Sequence, residues 1–176
     1  MKKIPTLFER VFENHKVVQV NPIITPGCEE AFFHGKATVK WDGQCCAVIN
    51  GQLYQRYDAK KGIAPENAIP CQDPDPITGH WPHWIPARDK WILEIERPKK
   101  DGTYEAIGKH FQGNPYNLDY DTFIPHGQDV VDIDRTFEAV KEYLATHEIE
   151  GLVFWLDEPV CKIKRKDFGY KWPVKT

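Results

Sequence analysis

The chain lacks any apolar run long enough to act as a membrane span or secretory signal. Lys2 and Lys3 stand at its start, but no long hydrophobic stretch follows them. It also lacks an excess of basic charge. A net charge of −3 excludes a protein that wraps nucleic acid non-specifically over its whole surface, while leaving room for a local basic groove. There is no disulfide framework either. The five Cys are odd in number, and Cys45 and Cys46 are adjacent, a pattern that belongs to a reducing cytosol. Internal repeats and low-complexity segments are absent. The expectation is a soluble, cytoplasmic protein with no membrane contact and no evident obligate protein partner.

The 176 residues suffice for one domain, 1–176, with a buried core. Hydrophobic content of 41% and charged content of 28% are those of a globular protein. Aromatic content of 12%, including 6 Trp, suits stacking surfaces or a tight mixed core. Basic residues gather towards the end: Lys162, Lys164, Arg165, Lys166, Lys171 and Lys175 face Asp167 alone. A solvated basic tail is one reading of them. Because the run follows a strand-like segment and holds Phe168, Tyr170 and Trp172, a phosphate-facing edge is expected instead.

Along the chain, Thr6 to Glu9 fits a capping box, with Leu7, Phe8, Val11 and Phe12 as the apolar face of a short helix. Val17 to Val20 reads as a strand ended by Asn21-Pro22, and Ala37 to Lys40 and Gln44 to Ile49 read as strands. Asn50-Gly51 is a hairpin signal, with Gln52 to Tyr57 returning. Six prolines between Gly62 and Arg88 predict a Pro/Trp-rich loop or lid at about 62–88. Trp91 to Glu96 and Thr103 to Gly108 read as strands joined by a turn. Arg135 to Thr146 reads as a helix behind Asp134. Gly151 to Leu156 is a buried strand, and Val160 to Arg165 pairs with it across Asp157 to Pro159. The sum is an α+β fold built on a twisted, mainly antiparallel sheet with flanking helices.

Lys40-Trp41-Asp42-Gly43 reads K-x-D-G. By itself it fits a hairpin in which Asp42-Gly43 turns the chain and Lys40 is solvated. Four features follow in order. Arg56 ends a hairpin strand, Glu105 lies within a strand, Glu150-Gly151 opens the apolar run, and Lys162-Ile163-Lys164 puts both ammonium groups on one sheet face. A lysine with a pKa near ~10.4 is protonated at neutral pH and does not attack phosphorus. Desolvation and the cations Lys162, Lys164 and Arg56 supply the field that lowers it and offsets a triphosphate. Glu150 is the candidate ligand for a divalent metal, with oxygen donors favouring Mg²⁺. Glu105 is expected to accept hydrogen bonds from ribose hydroxyls or from Lys40.

These segments resemble motifs I, IV and V of the covalent nucleotidyltransferases: DNA and RNA ligases and capping guanylyltransferases. The closer resemblance is to the compact RNA ligase 1 family, over about Lys36 to Pro173. Val39 to Cys46, Ile107 to Tyr116 with its G-N-P-Y, Ile124-Pro125-His126-Gly127, Ile149 to Val153 and Lys162 to Pro173 carry it. The resemblance implies an ATP-grasp-like nucleotidyltransferase domain without an OB domain, for which little chain remains after motif V. It implies Lys40 as the nucleophile that takes AMP from ATP. Asp42, Gly43, Arg56, Glu105, Glu150, Lys162 and Lys164 then bind the nucleotide, with Glu150 at Mg²⁺ or Mn²⁺. AMP would pass to an RNA 5′-phosphate, and a 3′-hydroxyl would displace it, in the setting of RNA repair. Cys45 stands where many ligases carry an arginine, so Arg56 is expected to take that role.

Two other readings stay open, a nucleotidyltransferase with another acceptor (DNA or a capped RNA end) and a non-catalytic nucleotide- or RNA-binding domain. Cys71, His80 and His83 suggest zinc but lack a fourth ligand. The 62–88 loop is expected over the active site or the RNA, with Trp81 and Trp84 for stacking.

Overall fold

A computed structural model describes residues 1–174; Lys175 of the basic tail lies outside the described residues. The chain folds as two compact units, Met1–Lys3 with Asp42–His126 (unit 1) and Ile4–Trp41 with Gly127 onward (unit 2). Strands dominate, paired mostly antiparallel, with few helices, so the α+β class holds.

Unit 2 opens with β1 (Phe8–Glu13) and β2 (Lys16–Ile24), an antiparallel ribbon. The capping box at Thr6 does not start a helix. Glu13 pairs with Lys16 around Asn14-His15, both at positive φ, as a two-residue hairpin of mirror-image type requires. Of the four apolar residues assigned to a helix face, only Leu7 and Phe8 are buried. The second strand runs on through Asn21-Pro22 to Ile24. Next come a short helix α1 (Glu29–His34), which the sequence did not announce, and β3 (Lys36–Lys40).

Unit 1 carries β4 (Gln44–Ile49) and β5 (Gln52–Ala59), joined by Asn50-Gly51 at positive φ, the hairpin read from the sequence. Asp101 accepts both turn N–H groups, at 2.6 and 3.0 Å. The 62–88 segment is not wholly a loop. It holds β6 (Ile69–Pro70) and β7 (Trp81–Pro86), which pairs with β5 over its whole length. Pro82 and Pro86 share one parity of β7, so the missing donors fall on one side of the strand. Trp91 to Glu96 is not a strand. Asp89 accepts the Trp91 N–H and starts the one-turn helix α2 (Lys90–Glu94), which buries Ile92. The unit ends with β8 (Gly102–Gly108) and β9 (Asp121–Pro125) in a six-stranded sheet of order β6-β7-β5-β4-β8-β9. Cys46, Val48, Leu53, Ile92, Tyr104, Ala106 and Phe111 form its core.

Unit 2 resumes with α3 (Phe137–Thr146), β10 (Gly151–Trp155) and β11 (Pro159–Lys164). The cap of α3 is Thr136, whose hydroxyl accepts the Ala139 N–H at 3.1 Å, and not Asp134. Strands β11, β10 and β3 form an antiparallel sheet in that order. One face packs Ala37, Leu152, Phe154, Cys161 and Ile163 against Phe32, Val140 and Leu144. Arg165 is buried, and its guanidinium donates to the carbonyls of Leu144, His147 and Lys171. It closes the end of α3 and does not belong to a phosphate-facing edge.

Candidate active site

The register of the three-stranded sheet builds a lysine face in unit 2. Gly151, the first residue of β10, pairs with Lys40 at the end of β3 on one side and with Lys164 at the end of β11 on the other. Two residues along, Val153 lies between Thr38 and Lys162. The intervening Val39, Leu152 and Ile163 belong to the core side, so strand alternation places Lys40, Lys162 and Lys164 together on the opposite face. Glu150 precedes the strand, and its Oε2 accepts from Lys40 Nζ at 2.7 Å with both side chains partly buried.

Glycine is required at 151 by close approach. A Cβ there would run into the Ile163 carbonyl oxygen and come within 2.9 Å of Lys164 Cα.

The electrostatic consequence falls on Lys162. Burial first, and then the ammonium groups of Lys40 and Lys164, lower its pKa to about 8, while Glu150 works in the other direction. Lys40 and Lys162 both feel the Glu150 carboxylate, and an anion laid on this face would relieve the repulsion among the three ammonium groups.

In unit 1, Asp42 and Gly43 are fixed by their backbone. The Tyr116 hydroxyl accepts the Asp42 N–H at 2.5 Å, Glu105 Oε1 accepts the Gly43 N–H at 3.1 Å, and Gln112 Nε2 donates to the Gly43 carbonyl at 3.2 Å. A Cβ at Gly43 would run into the Ala106 carbonyl oxygen on β8. The K-x-D-G motif is thus divided, with Lys40 and Trp41 in unit 2 and Asp42 and Gly43 in unit 1. It does not form a tight hairpin, because β3 and β4 belong to different sheets.

Glu105 is more engaged than expected. Its Oε2 also accepts from His126 Nε2 at 2.7 Å, and Cys45 is its register partner on β4. Burial, then the Glu105 charge, pushes the Cys45 thiol up to about 12. Arg56 lies 3.4 Å from Asp58 and 3.3 Å from His80 Nε2. Extending the β4–β5 register by one residue sets Arg56 opposite Cys45, on the same sheet face as Glu105.

The structure therefore gathers Lys40, Glu150, Lys162 and Lys164 in one unit, and Asp42, Gly43 and Glu105 with Arg56 on a nearby strand in the other. It does not gather Cys71, His80 and His83. Cys71 Sγ accepts from the Met1 amino group, His80 serves Arg56 and Asp58, and His83 Nδ1 lies 2.8 Å from the Trp81 carbonyl. Trp84 is buried, and the Trp81 indole N–H donates to the Gln72 carbonyl, so the two do not form an exposed stacking pair. Tyr116, Gln112 and His126 join the site from outside the residues named in the sequence, and the signal for them there is membership of the Ile107–Tyr116 and Ile124–Gly127 segments.

Glu150, a carboxylate paired with Lys40, offers the oxygen donors that Mg²⁺ takes from one or two carboxylates plus substrate phosphates. Among the described residues, no helix is long and apolar enough to cross a membrane. Comparison with known proteins yields no family model that matches the chain and no curated protein that matches its sequence.

Proposed function

We propose that this protein is an ATP-dependent RNA ligase that works through a covalent lysyl-AMP at Lys40. The observation that carries the proposal is the row Lys40–Gly151–Lys164, with Lys162 on the same face and Glu150 at 2.7 Å from Lys40 Nζ. A triphosphate is the ligand that such a concentration of ammonium groups suits best, and a lysine at the edge of it suits in-line attack.

In the first step the Lys40 ammonium loses a proton, for which the Glu150 carboxylate lies within reach. The Nζ lone pair then forms a bond to the α-phosphorus of ATP as the bond to pyrophosphate breaks. Lys162 and Lys164 neutralise the charge that accumulates on the phosphates. Glu150 and the phosphate oxygens would hold Mg²⁺, which supplies further charge neutralisation when bound. An RNA 5′-phosphate oxygen next attacks the lysyl-AMP phosphorus and releases Lys40. Finally a 3′-hydroxyl attacks the 5′-phosphorus, AMP leaves, and the hydroxyl proton goes to solvent.

The choice of RNA and the nucleotide contacts of Asp42, Gly43, Arg56 and Glu105 rest on the resemblance to RNA ligases. A reducing, cytoplasmic setting belongs to the same proposal, supported by five unpaired cysteines.

The test is incubation with Mg²⁺ and ATP labelled at the α-phosphate, followed by denaturing electrophoresis. Label should travel with the parent chain and be lost in Lys40→Ala. An unlabelled parent, or equal label in both, would sink the covalent mechanism. Nicked RNA, nicked DNA and labelled GTP supplied in parallel distinguish sealing of RNA from the other acceptors.

A further inference from the structure

Three side chains of unit 1 that converge on one point lie far apart in sequence. Cys45 on β4 and Glu105 on β8 are register partners, and His126 follows β9. One ligand atom from each lies within 4.8 Å of the other two, and this trio is the group of three or more His, Cys, Asp or Glu that meets that condition among the described residues. We propose that Cys45, Glu105 and His126 bind a divalent transition metal, zinc by their chemistry. The proposal does not rest on the ligase reading.

Four observations support it. A tetrahedral zinc with bonds of about 2.0–2.3 Å holds its ligand atoms somewhat under 4 Å apart, close to the spacing within 4.8 Å found here. Secondly, the carboxylate is already oriented, because Gly43 N–H holds Glu105 Oε1, the kind of outer support that metal-binding carboxylates have. The third observation concerns the imidazole. His126 has one nitrogen on Glu105 Oε2, while its Nδ1 is buried without a hydrogen-bond partner, an unsatisfied polar atom that calls for an explanation. Lastly, the donor set is one sulfur, one imidazole and one carboxylate, which favours zinc over the all-oxygen preference of magnesium.

Binding breaks the Cys45 S–H bond, sends that proton to solvent and forms a sulfur–metal bond, with no change of oxidation state. Without metal the buried thiol keeps its proton, as its pKa of about 12 indicates. The opposing charges are the N-terminal ammonium and Arg56, and the ion pair of Arg56 with Asp58 offsets part of the latter. Because the proton must leave, affinity falls as pH falls.

The experiment uses the full chain with cobalt(II) as a probe, kept reduced by a non-thiol reductant. One equivalent should produce a near-ultraviolet thiolate-to-cobalt band that zinc abolishes. The band should vanish in Cys45→Ser and persist in Cys71→Ser. Glu105→Gln and His126→Gln should each weaken zinc binding by about tenfold or more. Absence of the band in the folded parent, or its survival in Cys45→Ser, overturns the proposal. Where circular dichroism shows Cys45→Ser to be unfolded, unchanged zinc affinity in His126→Gln overturns it equally.

Discussion

Lys162→Met should make the protein more stable while removing its capacity for labelling. In the folded chain Lys162 gives up its proton at about 8, whereas an unfolded lysine does so near ~10.4. Below pH 8 both states carry the charge, and the folded state bears the full cost of holding it among Lys40 and Lys164. At about 1.4 kcal/mol per tenfold, the difference corresponds to roughly 3 kcal/mol. The side chain is only partly buried, and screening by water reduces the expected gain to about 1–2 kcal/mol.

Methionine keeps most of the stem. The backbone bonds of residue 162 to Pro5 and Leu7 do not involve the side chain. Between pH 8 and about 10.4 the unfolded chain binds the extra proton. The stability of the parent therefore rises through that window, and the advantage of Lys162→Met shrinks to nothing above it. Urea denaturation of both proteins at neutral pH and across that window measures the gap. A parent as stable as the variant at neutral pH, or a gap that does not narrow, refutes the reasoning. A stabilised variant that no longer takes label would show the lysine face to be held at a cost to folding, as expected of a functional site.

Two further substitutions test the geometry. Gly151→Ala forces β10 from β11 at the Ile163 carbonyl and should cost about 2–4 kcal/mol, read as a lower denaturation midpoint together with loss of label. Tyr116→Phe removes the hydroxyl that accepts the Asp42 N–H and should cost about 1 kcal/mol; a neutral effect in thermal denaturation would count against that bond.

The sequence revealed most where a signal was local. Asn50-Gly51 specified its own hairpin, and the alternation through Lys162-Ile163-Lys164 placed two lysines on one face because Ile163 belongs to the core. It misled where tertiary partners decide. Leu7, Phe8, Val11 and Phe12 have helical spacing, but an Asn14-His15 turn and a partner strand make them part of a ribbon. The prolines of 62–88 argued for a loop because the pairing of Trp81–Pro86 with β5 is a long-range fact. Trp91–Glu96 has strand composition, yet Asp89 caps it into a turn of helix.

Within the site, Lys40, Glu150, Lys162 and Lys164 were legible as residue types in order. Two things were not, that Gly151 is the pivot of their register and that Glu105 answers to Gly43 and His126. Such partnerships depend on strand order, which no spacing within one segment encodes.

The interposition of residues 42–126 between β3 and the strand that pairs with it has a temporal meaning. On the ribosome, Lys40 is made 110 residues before Glu150, a wait of roughly 5–20 s at ordinary elongation rates. During that interval Asp42–His126 is already complete and free to close over its own core, whereas β3 has no partner strand until β10 emerges. The lysine face therefore takes shape only after Asp42–His126 has emerged, and no product released before Lys164 can present it.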